Sequence, residues 1–297
     1  MEVPQANYTR EEKVLLASDG SAGYGGGEYE IEILDRKTAP KKKKYKWNYL
    51  WGELRPDLMN RIQMDEVATF SVTDMNTAEH ISKELLNLED INEFSVITDA
   101  TACVGGNAIC FARYFRRVNA IELDDARCRM LKNNFDVCLE NQSLLSMCKG
   151  CQMLSFCCVC EDTPARKLPS KSAIRPIIGS MSIMQGDCLN LCQTLKQDIL
   201  FLDPPWGGKK YSERDAVPLY LSGCPLHKVC AKLGKLCRYL TVKLPFNADL
   251  TQTLDDPNCK LVKRITFEKM LLVILEYSKA LDEKELSFLM GIGLKLK

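Results

Sequence analysis

Residues 95–123 read SVITDATACVGGNAICFARYFRRVNAIEL, and the fold prediction is built on this stretch. An apolar run, SVITDA, passes through a glycine turn into a helical stretch, GNAICFARYF, and a second apolar run, VNAIEL, follows. Apolar strands separated by helices are typical of a parallel sheet with both faces covered. The stretch therefore predicts the first two strands of an α/β sheet.

The alternation of apolar and helical runs continues along the rest of the chain. Further apolar runs lie at 181–187, 198–205 and 238–245, with helical stretches between them. Residues 260–278 read as two strands joined by a tight turn, which suits an antiparallel edge of such a sheet. We predict a Rossmann-like, doubly wound, mostly parallel α/β sheet with a C-terminal antiparallel edge hairpin and a small N-terminal helical extension.

The regions outside the sheet differ in composition. A glycine-rich stretch, GSAGYGGGEYE, precedes four lysines at 41–44, a composition expected to be mobile. Aromatic and charged residues then mix, and a helical pattern follows in which Asn76 and Glu79 have capping-box spacing. A cysteine-rich segment interrupts the sheet domain where a short loop would normally suffice. We divide the chain into a flexible tail at 1–44, an N-terminal extension at 45–94 and a sheet domain at 95–297 with an insertion at about 139–180.

The composition excludes some classes of protein. Forty basic and 39 acidic residues nearly cancel, so any contact with nucleic acid must use a local patch. No apolar run is long enough to span a bilayer, and the N-terminus lacks the apolar core of a secretory signal. The 15 cysteines are then expected to be reduced thiols in an intracellular protein. The four lysines are either a solvated tether or a patch for nuclear import or RNA.

Polar residues follow three of the predicted strands and suggest a nucleotide-like cofactor. The first strand ends at Asp99 and leads into a glycine turn, which lacks the G-x-G-x-x-G pattern of nicotinamide-binding folds. An acid there repels phosphate and favours a cationic aminoacyl group. Acids after the second strand suit ribose hydroxyls, and an acid after the third suits an adenine amino group. The pattern points to S-adenosylmethionine, with S-adenosylhomocysteine as product, although each acid could instead cap a helix. The cofactor-binding candidates are Asp99, Thr101, Gly105, Asn107, Glu122, Asp124, Asp187 and Asp203.

The fourth strand ends in DPPW, an acid-proline-proline-aromatic motif that resembles that of the amino-group methyltransferases, and this resemblance implies methyl transfer to an exocyclic amine of a base. Such an amine is a poor nucleophile because its lone pair is delocalised into the ring. Prolines have a fixed φ and no amide donor, so they hold nearby acceptors rigidly against the amine protons. Trp206 offers a plane on which a base can stack. Asp203, Pro204 and Trp206 are therefore the catalytic candidates.

Several segments together resemble one family. DPPWGGKKY, FSVT at 70–73, DATACVGGNAICFA and KWNYLWGELR resemble segments of the trimethylguanosine synthases, RNA cap guanine-N2 methyltransferases of the class I fold. The resemblance runs from about Lys46 to Tyr277. It implies methylation of the N2 amine of 7-methylguanosine caps, to 2,7-dimethyl- or 2,2,7-trimethylguanosine. It also implies capped RNA as partner (small nuclear, small nucleolar or messenger RNA), a location in the nucleus with the cytoplasm as an additional option, and a monomer with no membrane contact.

The resemblance also assigns substrate-binding residues. Trp206 would stack the cationic base and Ser71 would lie across from it, whereas basic residues and a tyrosine would meet the triphosphate. Asp203 stands where the family usually has serine, and Phe246 stands where its L-P-R-N segment has an arginine, which Lys243 is a candidate to replace. The substrate-binding set is Lys46, Ser71, Trp206, Lys209, Tyr211 and Asn247.

Three alternatives stay open. Asp203 also fits an adenine-N6 methyltransferase acting on RNA or DNA, and an inactive cap-binding protein would keep the same fold. The segment CKGCQMLSFCCVC offers Cys148, Cys151, Cys157 and Cys160 as thiolate ligands for a structural zinc ion, although its two halves are close together for a zinc site. We favour reduced cysteines, and we expect no metal in the chemistry.

Overall fold

The protein is represented by a computed structural model, which describes residues 31–39, 41–52, 54–143, 175–207 and 211–278. Its strands are β1 (Val96–Asp99), β2 (Arg117–Glu122), β3 (Ser180–Gln185), β4 (Ile199–Leu202), β5 (Tyr220–Leu221), β6 (Cys224–Pro225), β7 (Tyr239–Leu244), β8 (Cys259–Thr266) and β9 (Leu271–Tyr277). Its α-helices are α1 (Lys41–Trp51), α2 (Pro56–Met59), α3 (Ala68–Ser71), α4 (Met75–Leu86), α5 (Gly106–Phe111), α6 (Asp125–Ser143), α7 (Cys188–Leu191), α8 (Leu226–Leu233) and α9 (Thr251–Leu254).

Seven of these strands form one sheet in the order β3-β2-β1-β4-β7-β9-β8. Strands β3, β2, β1, β4 and β7 run parallel, whereas β9 pairs antiparallel with both β7 and β8. This confirms the predicted mostly parallel sheet with an antiparallel edge hairpin. The strand order reverses between β1 and β4, and open α/β sheets bind ligands outside the carboxyl ends of the strands at such a point.

Both faces of the sheet are buried. Strands β4 and β7 are buried along their whole length, which explains their continuous apolar sequences. On one face the N-terminal extension packs against the sheet, and its Trp47 joins Phe111 and Phe201 in one apolar cluster. On the other face α8 supplies Val229 and Leu233 to a second cluster. The extension is thus part of the core of the domain.

The first helix begins at Lys41, inside the range expected to be a tail. Its two tryptophans are fully buried, and each ring nitrogen donates a hydrogen bond, from Trp47 to the Ile62 carbonyl at 3.2 Å and from Trp51 to the Met64 sulfur at 3.4 Å. The four lysines therefore form the first turn of a helix that is held by the core.

Two parts of the domain division stay predictions. Residues 1–30 and 144–174, which include most of the tail and most of the insertion, lie outside the described residues. Helix α6 continues to Ser143, beyond the expected start of the insertion. Within the described ranges no helix is both long and apolar enough to cross a membrane.

Helix α4 is capped by a different residue from the predicted one. Asp74 is the N-cap, and its Oδ1 accepts a hydrogen bond from the Thr77 amide at 3.1 Å. The helix therefore starts two residues earlier than it would with Asn76 as its N-cap. Glu79 does not take part in capping; its carboxylate accepts a hydrogen bond from the Tyr114 hydroxyl at 2.8 Å. The capping-box prediction was wrong because an acid just upstream reaches the free amides first.

A buried ion pair fastens the extension to the sheet domain. Two guanidinium nitrogens of Arg127, in α6, lie 2.8 and 3.0 Å from Oδ2 of Asp65, which has no exposed surface. The other carboxylate oxygen of Asp65 accepts a hydrogen bond from the Ala68 amide at the start of α3. Both charges are compensated, so removing one partner would leave the other buried and unpaired.

We expect Asp65→Ala to lower the free energy of unfolding by about 3–5 kcal/mol, because Arg127 would keep an uncompensated buried charge. Urea unfolding followed by circular dichroism measures the change. Glu140→Ala is the control, since its pair with Arg61 is about half exposed and is worth less than about 1 kcal/mol. Equal losses in the two variants would show that the buried pair does not hold the extension in place.

Candidate functional site

A cavity of about 620 Å³ opens at the carboxyl ends of β1, β2 and β4, where the sheet topology predicts a ligand site. Eight of the predicted site residues line it: Ser71, Thr101, Asn107, Glu122, Asp203, Pro204, Trp206 and Tyr211. Asp99, Gly105, Asp124 and Asp187 are not in its wall, but each has a direct chain neighbour that is.

The glycine turn brings the extension close to helix α5. Gly105 has φ +106°, and a Cβ there would lie 2.6 Å from the Leu131 side chain. A Cβ on Gly106 would lie 2.7 Å from the carbonyl oxygen of Thr73. The two glycines are thus required by a left-handed turn and by a close backbone approach. They place the amide-rich start of α5 against the segment that the FSVT motif contributes.

Asp99 is buried at the end of β1. Its Oδ1 accepts a hydrogen bond from the Thr101 amide at 3.2 Å, and its Oδ2 has no hydrogen-bond partner among the described residues. Burial raises the pKa of this carboxyl to about 8; the Thr101 hydrogen bond opposes the rise, and the charges of Asp203 and Glu122 add to it. A buried acceptor of this kind is suited to a cationic ligand group.

Glu122 lies at the end of β2 and lines the cavity. Its two carboxylate oxygens accept hydrogen bonds from the backbone amides of Cys103 and Asp124, both at 2.9 Å. Burial raises the pKa of this carboxyl, while those two amides and Arg127 oppose the rise. The backbone thus holds Glu122 in one orientation at the rim of the cavity.

The other two strand-end acids have a structural task. Asp124 accepts a hydrogen bond from the Arg127 amide at 3.0 Å at the start of α6. Asp187 is the N-cap of α7, and its Oδ1 accepts hydrogen bonds from the Leu189 amide and the Ser222 hydroxyl, both at 2.9 Å. Both acids thus act as helix caps, the alternative that the sequence left open.

The DPPW segment is hydrogen-bonded directly to the turn that follows β1. The amide of Asp203 donates a hydrogen bond to the Thr101 hydroxyl at 2.7 Å. The same Thr101 donates its own amide to Asp99. Trp206 stands edge-to-face with Tyr211, with ring centroids 5.2 Å apart and an angle of 80° between the rings. One threonine therefore couples the position of the buried acid to that of the proline motif.

Lys243 is the residue whose position the sequence did not reveal. It had been expected to replace a phosphate-binding arginine, but it is buried in β7, and its Nζ lies 2.6 Å from Oδ2 of Asp203. Nζ also lies 2.9 Å from the Thr73 hydroxyl and 5.4 Å from the centroid of the Trp206 ring. A lysine inside the apolar strand YLTVKL was the available signal, because buried strands rarely carry an unpaired charge. Thr73, the last residue of the FSVT motif, was also missed.

The residues that the family resemblance assigns to substrate binding do not all line the cavity. Ser71 lines the cavity, as does Phe70, over whose ring the Nζ of Lys46 lies at 5.1 Å. Asn247 does not line the cavity; its amide donates to the carbonyls of Tyr211 and Arg214 at 2.9 and 2.7 Å, and so holds the loop after the DPPW segment. Lys209 lies outside the described residues.

The metal prediction concerns a part of the chain that the structure leaves out. Cys148, Cys151, Cys157 and Cys160 all fall in the 144–174 gap. Among the residues that the structure does describe, no group of three or more His, Cys, Asp or Glu residues could hold a metal ion.

Comparison with known proteins identifies relatives of this chain. A model of the RNA cap guanine-N2 methyltransferase family matches residues 94–278. An uncharacterized protein of Acanthamoeba polyphaga mimivirus is 30% identical over 190 residues, which cover 61% of this chain and 58% of the viral protein. The chain therefore spans less than two thirds of the length of that relative. Trimethylguanosine synthase of Schizosaccharomyces pombe is 25% identical over 237 residues, which cover 75% of this chain and 80% of the yeast protein.

A solved structure extends the likeness to the fold. A putative methyltransferase from Porphyromonas gingivalis has a TM-score of 0.50 at 14% identity, covering 82% of this chain and 52% of that one. At this identity the likeness shows the fold alone, which is the class I fold of S-adenosylmethionine-dependent methyltransferases. The family match covers more than half of the chain and includes the glycine turn, Asp99, Glu122 and the DPPW segment. The resemblance seen in the sequence is thereby confirmed: this chain belongs to the RNA cap guanine-N2 methyltransferase family.

Proposed function

We propose that this protein transfers a methyl group from S-adenosylmethionine to the exocyclic N2 amine of a 7-methylguanosine RNA cap, giving a 2,7-dimethyl or 2,2,7-trimethyl product. The observation that carries the proposal is the double role of Thr101. Its amide holds Asp99 on the cofactor side and its hydroxyl holds Asp203 on the amine side, at 3.2 and 2.7 Å. Donor and acceptor of the methyl group would thus be positioned by one residue.

The cofactor side has the acceptors that a cationic amino group requires. Oδ2 of Asp99 and Oδ1 of Asn107 are both buried and lack a partner among the described residues. Leaving such atoms unpaired is costly, so a ligand that donates to them gains affinity. Glu122 is placed at the rim to accept from ribose hydroxyls. When bound, S-adenosylmethionine supplies an electrophilic methyl group on a sulfonium.

The amine side suits a flat cationic base. Trp206 lines the cavity and offers its ring for stacking, which contributes about 1–3 kcal/mol per base. A positive charge on the base adds about 0.5–2 kcal/mol of cation–π attraction. Asp203 and the Pro204 carbonyl would accept the amine protons and so orient the lone pair. By resemblance, Lys46, Lys209 and Tyr211 would meet the triphosphate and Ser71 would face the base.

A second function is favoured by one residue. Asp203 stands where related guanine-N2 enzymes usually have serine, and an acid before PPW is typical of adenine-N6 methyltransferases. The same geometry would then serve an adenine in RNA or DNA. Product identity separates the two functions, and an inactive cap-binding protein would give no product at all.

The biological setting is proposed on the family alone. Capped small nuclear, small nucleolar or messenger RNA would be the partner, bound by a monomer in the nucleus. The name of the yeast relative, a trimethylguanosine synthase, supports the RNA substrate.

We expect the affinity for S-adenosylhomocysteine to rise with pH between about 6 and 8. The pKa of Asp99 in the free protein is about 8, so binding a cationic amine must displace a proton below that pH. The dissociation constant should fall by up to about tenfold per pH unit and level off above pH 8. Isothermal titration calorimetry in buffers of different ionisation enthalpy measures both the affinity and the released proton.

Asp99→Asn should weaken binding at pH 8 and flatten this dependence, with Glu122 accounting for the slope that remains. Asp198→Asn is the matched control, because Asp198 precedes β4 at the opposite edge of the sheet and its carboxylate accepts a hydrogen bond from the Val96 amide. An unchanged slope in Asp99→Asn would show that Asp99 does not meet the amino group.

We expect turnover of 7-methyl-GTP and 7-methyl-GDP, with little turnover of GTP, because the base charge adds cation–π attraction to stacking. Labelled cofactor measures the rate, and mass spectrometry of the product distinguishes guanine-N2 from adenine-N6 and one methyl group from two. Methylation of adenine in uncapped RNA, without turnover of the cap analogues, would replace the first function by the second.

Trp206→Ala should lower kcat/KM for the cap analogue by about 100-fold or more, since stacking and cation–π attraction are both lost. The dissociation constant of S-adenosylhomocysteine should stay within about threefold, and Trp206→Phe should recover part of the activity. Equal loss of cofactor and cap binding would assign Trp206 a structural role.

A further inference from the structure

The Lys243 ammonium is enclosed by three groups of the amine side. It donates to the Asp203 carboxylate and the Thr73 hydroxyl, at 2.6 and 2.9 Å, and lies 5.4 Å from the Trp206 ring centroid. Lys243 is 7% exposed and lines the cavity together with Asp203 and Trp206. Its position therefore serves the reaction centre.

The charge of Lys243 bears on the state of Asp203. Burial raises the pKa of the Asp203 carboxyl, and both the charge and the hydrogen bond of Lys243 oppose that rise. Only one carboxylate oxygen, Oδ2, is used by Lys243. Asp203 lines the cavity, and its Oδ1 accepts no hydrogen bond from the described residues. One oxygen is thus anchored and the other remains for a ligand.

Thr73 fixes the lysine in turn. Its hydroxyl oxygen accepts one hydrogen bond from Lys243 and one from the Asn107 side chain, both at 2.9 Å. The close approach of Gly106 to the Thr73 carbonyl holds this threonine against α5. Lys243 is therefore held from two sides, so the direction in which it turns Asp203 is set by the fold.

We propose that Lys243 is a positioning residue that supplies the counter-charge of Asp203 and directs its Oδ1 at the exocyclic amine, in a pair that takes the place of the serine found in related enzymes. The inference rests on the proposed methylation of an exocyclic amine. Oδ1 accepts a hydrogen bond from the amine in the ground state. As the nitrogen bonds to the methyl carbon, the bond from that carbon to the sulfonium would break and S-adenosylhomocysteine would leave. The nitrogen would lose one proton, which Oδ1 would take up and return to solvent through the cavity, so that the charge of the base is unchanged.

The need for Lys243 depends on which residue stands at position 203. A serine hydroxyl is neutral and needs no partner, whereas a buried carboxylate without a cation is destabilising. Lys243 should therefore matter to the reaction when residue 203 is aspartate and should matter little when it is serine. A lysine with a merely structural role predicts the same effect in both backgrounds.

The first test compares Lys243→Met with Lys243→Arg on the base that the wild-type protein turns over. Lys243→Met should lower kcat about 10- to 100-fold, leave the dissociation constant of S-adenosylhomocysteine within about threefold, and move the acid limb of kcat to higher pH by about one unit or more. The direction follows because Asp203 without a cation stays protonated to higher pH. Lys243→Arg retains a cation and should recover kcat and the wild-type pH profile at least in part. An acid limb that stays in place in Lys243→Met overturns the proposal.

The second test is a double-mutant cycle with Asp203→Ser. Asp203→Ser alone leaves Lys243 unpaired and should lower Tm, whereas Asp203→Ser with Lys243→Met should restore it. In the serine background Lys243→Met should change kcat by less than about threefold. A loss of kcat as large as in the aspartate background would make Lys243 structural. If the wild-type protein turns over no base at all, the proposed function fails; if it is active but the cycle shows no coupling, only the role of Lys243 fails.

Discussion

The hydroxyl of Thr73 accepts a hydrogen bond from Lys243 and another from Asn107, and three parts of the molecule meet at this oxygen. Thr73 comes from the N-terminal extension, Asn107 from the first turn of the helix after the glycine turn, and Lys243 from the strand beside the DPPW segment. For these three residues to meet, the backbone at residue 106 must lie directly against the backbone of Thr73. Only a glycine at position 106 allows this contact. Without this contact the extension would still have its tryptophan core, but the reaction centre would lose the lysine that compensates Asp203.

The distribution of charge follows from this arrangement. On the cofactor side Asp99 and Glu122 are buried, have raised pKa values, and are held by backbone amides, with no lysine or arginine bonded to either carboxylate in the described residues. On the amine side Asp203 is paired with Lys243 inside the protein. The first set is thus suited to a cationic ligand, whereas the second offers a carboxylate whose charge is already balanced. Under the proposed function, a site of this kind would attract the cofactor by charge and orient the substrate by hydrogen bonds and stacking.

Much of the fold and part of the site were predictable from local sequence. Alternating apolar and helical runs predicted the sheet, and the ends of those runs predicted Asp99, Glu122 and Asp203 at one edge, because parallel strands end together. The same logic could not tell which of these acids bond a following helix: Asp124 and Asp187 have the same spacing and accept hydrogen bonds from the amides of the helices after them. Nor could it choose between Asp74 and Asn76 as the cap of α4, because that choice depends on where the preceding loop leaves the backbone. In each case, side chains only a few residues apart could bond the same free amides at the start of a helix.

The sequence by itself determined the class of fold, the family and the position of the DPPW motif at the end of a strand, because each of these is written in neighbouring residues with a defined spacing. Only the tertiary structure decided the partner of Asp203. Lys243 is 40 residues away along the chain and Thr73 is 170 residues from Lys243, yet Nζ of Lys243 lies 2.6 Å from the Asp203 carboxylate and 2.9 Å from the Thr73 hydroxyl. A lysine in an apolar strand reveals by its sequence that it needs a counter-charge. Which carboxylate supplies that charge depends on strand order, and strand order places β4 beside β7.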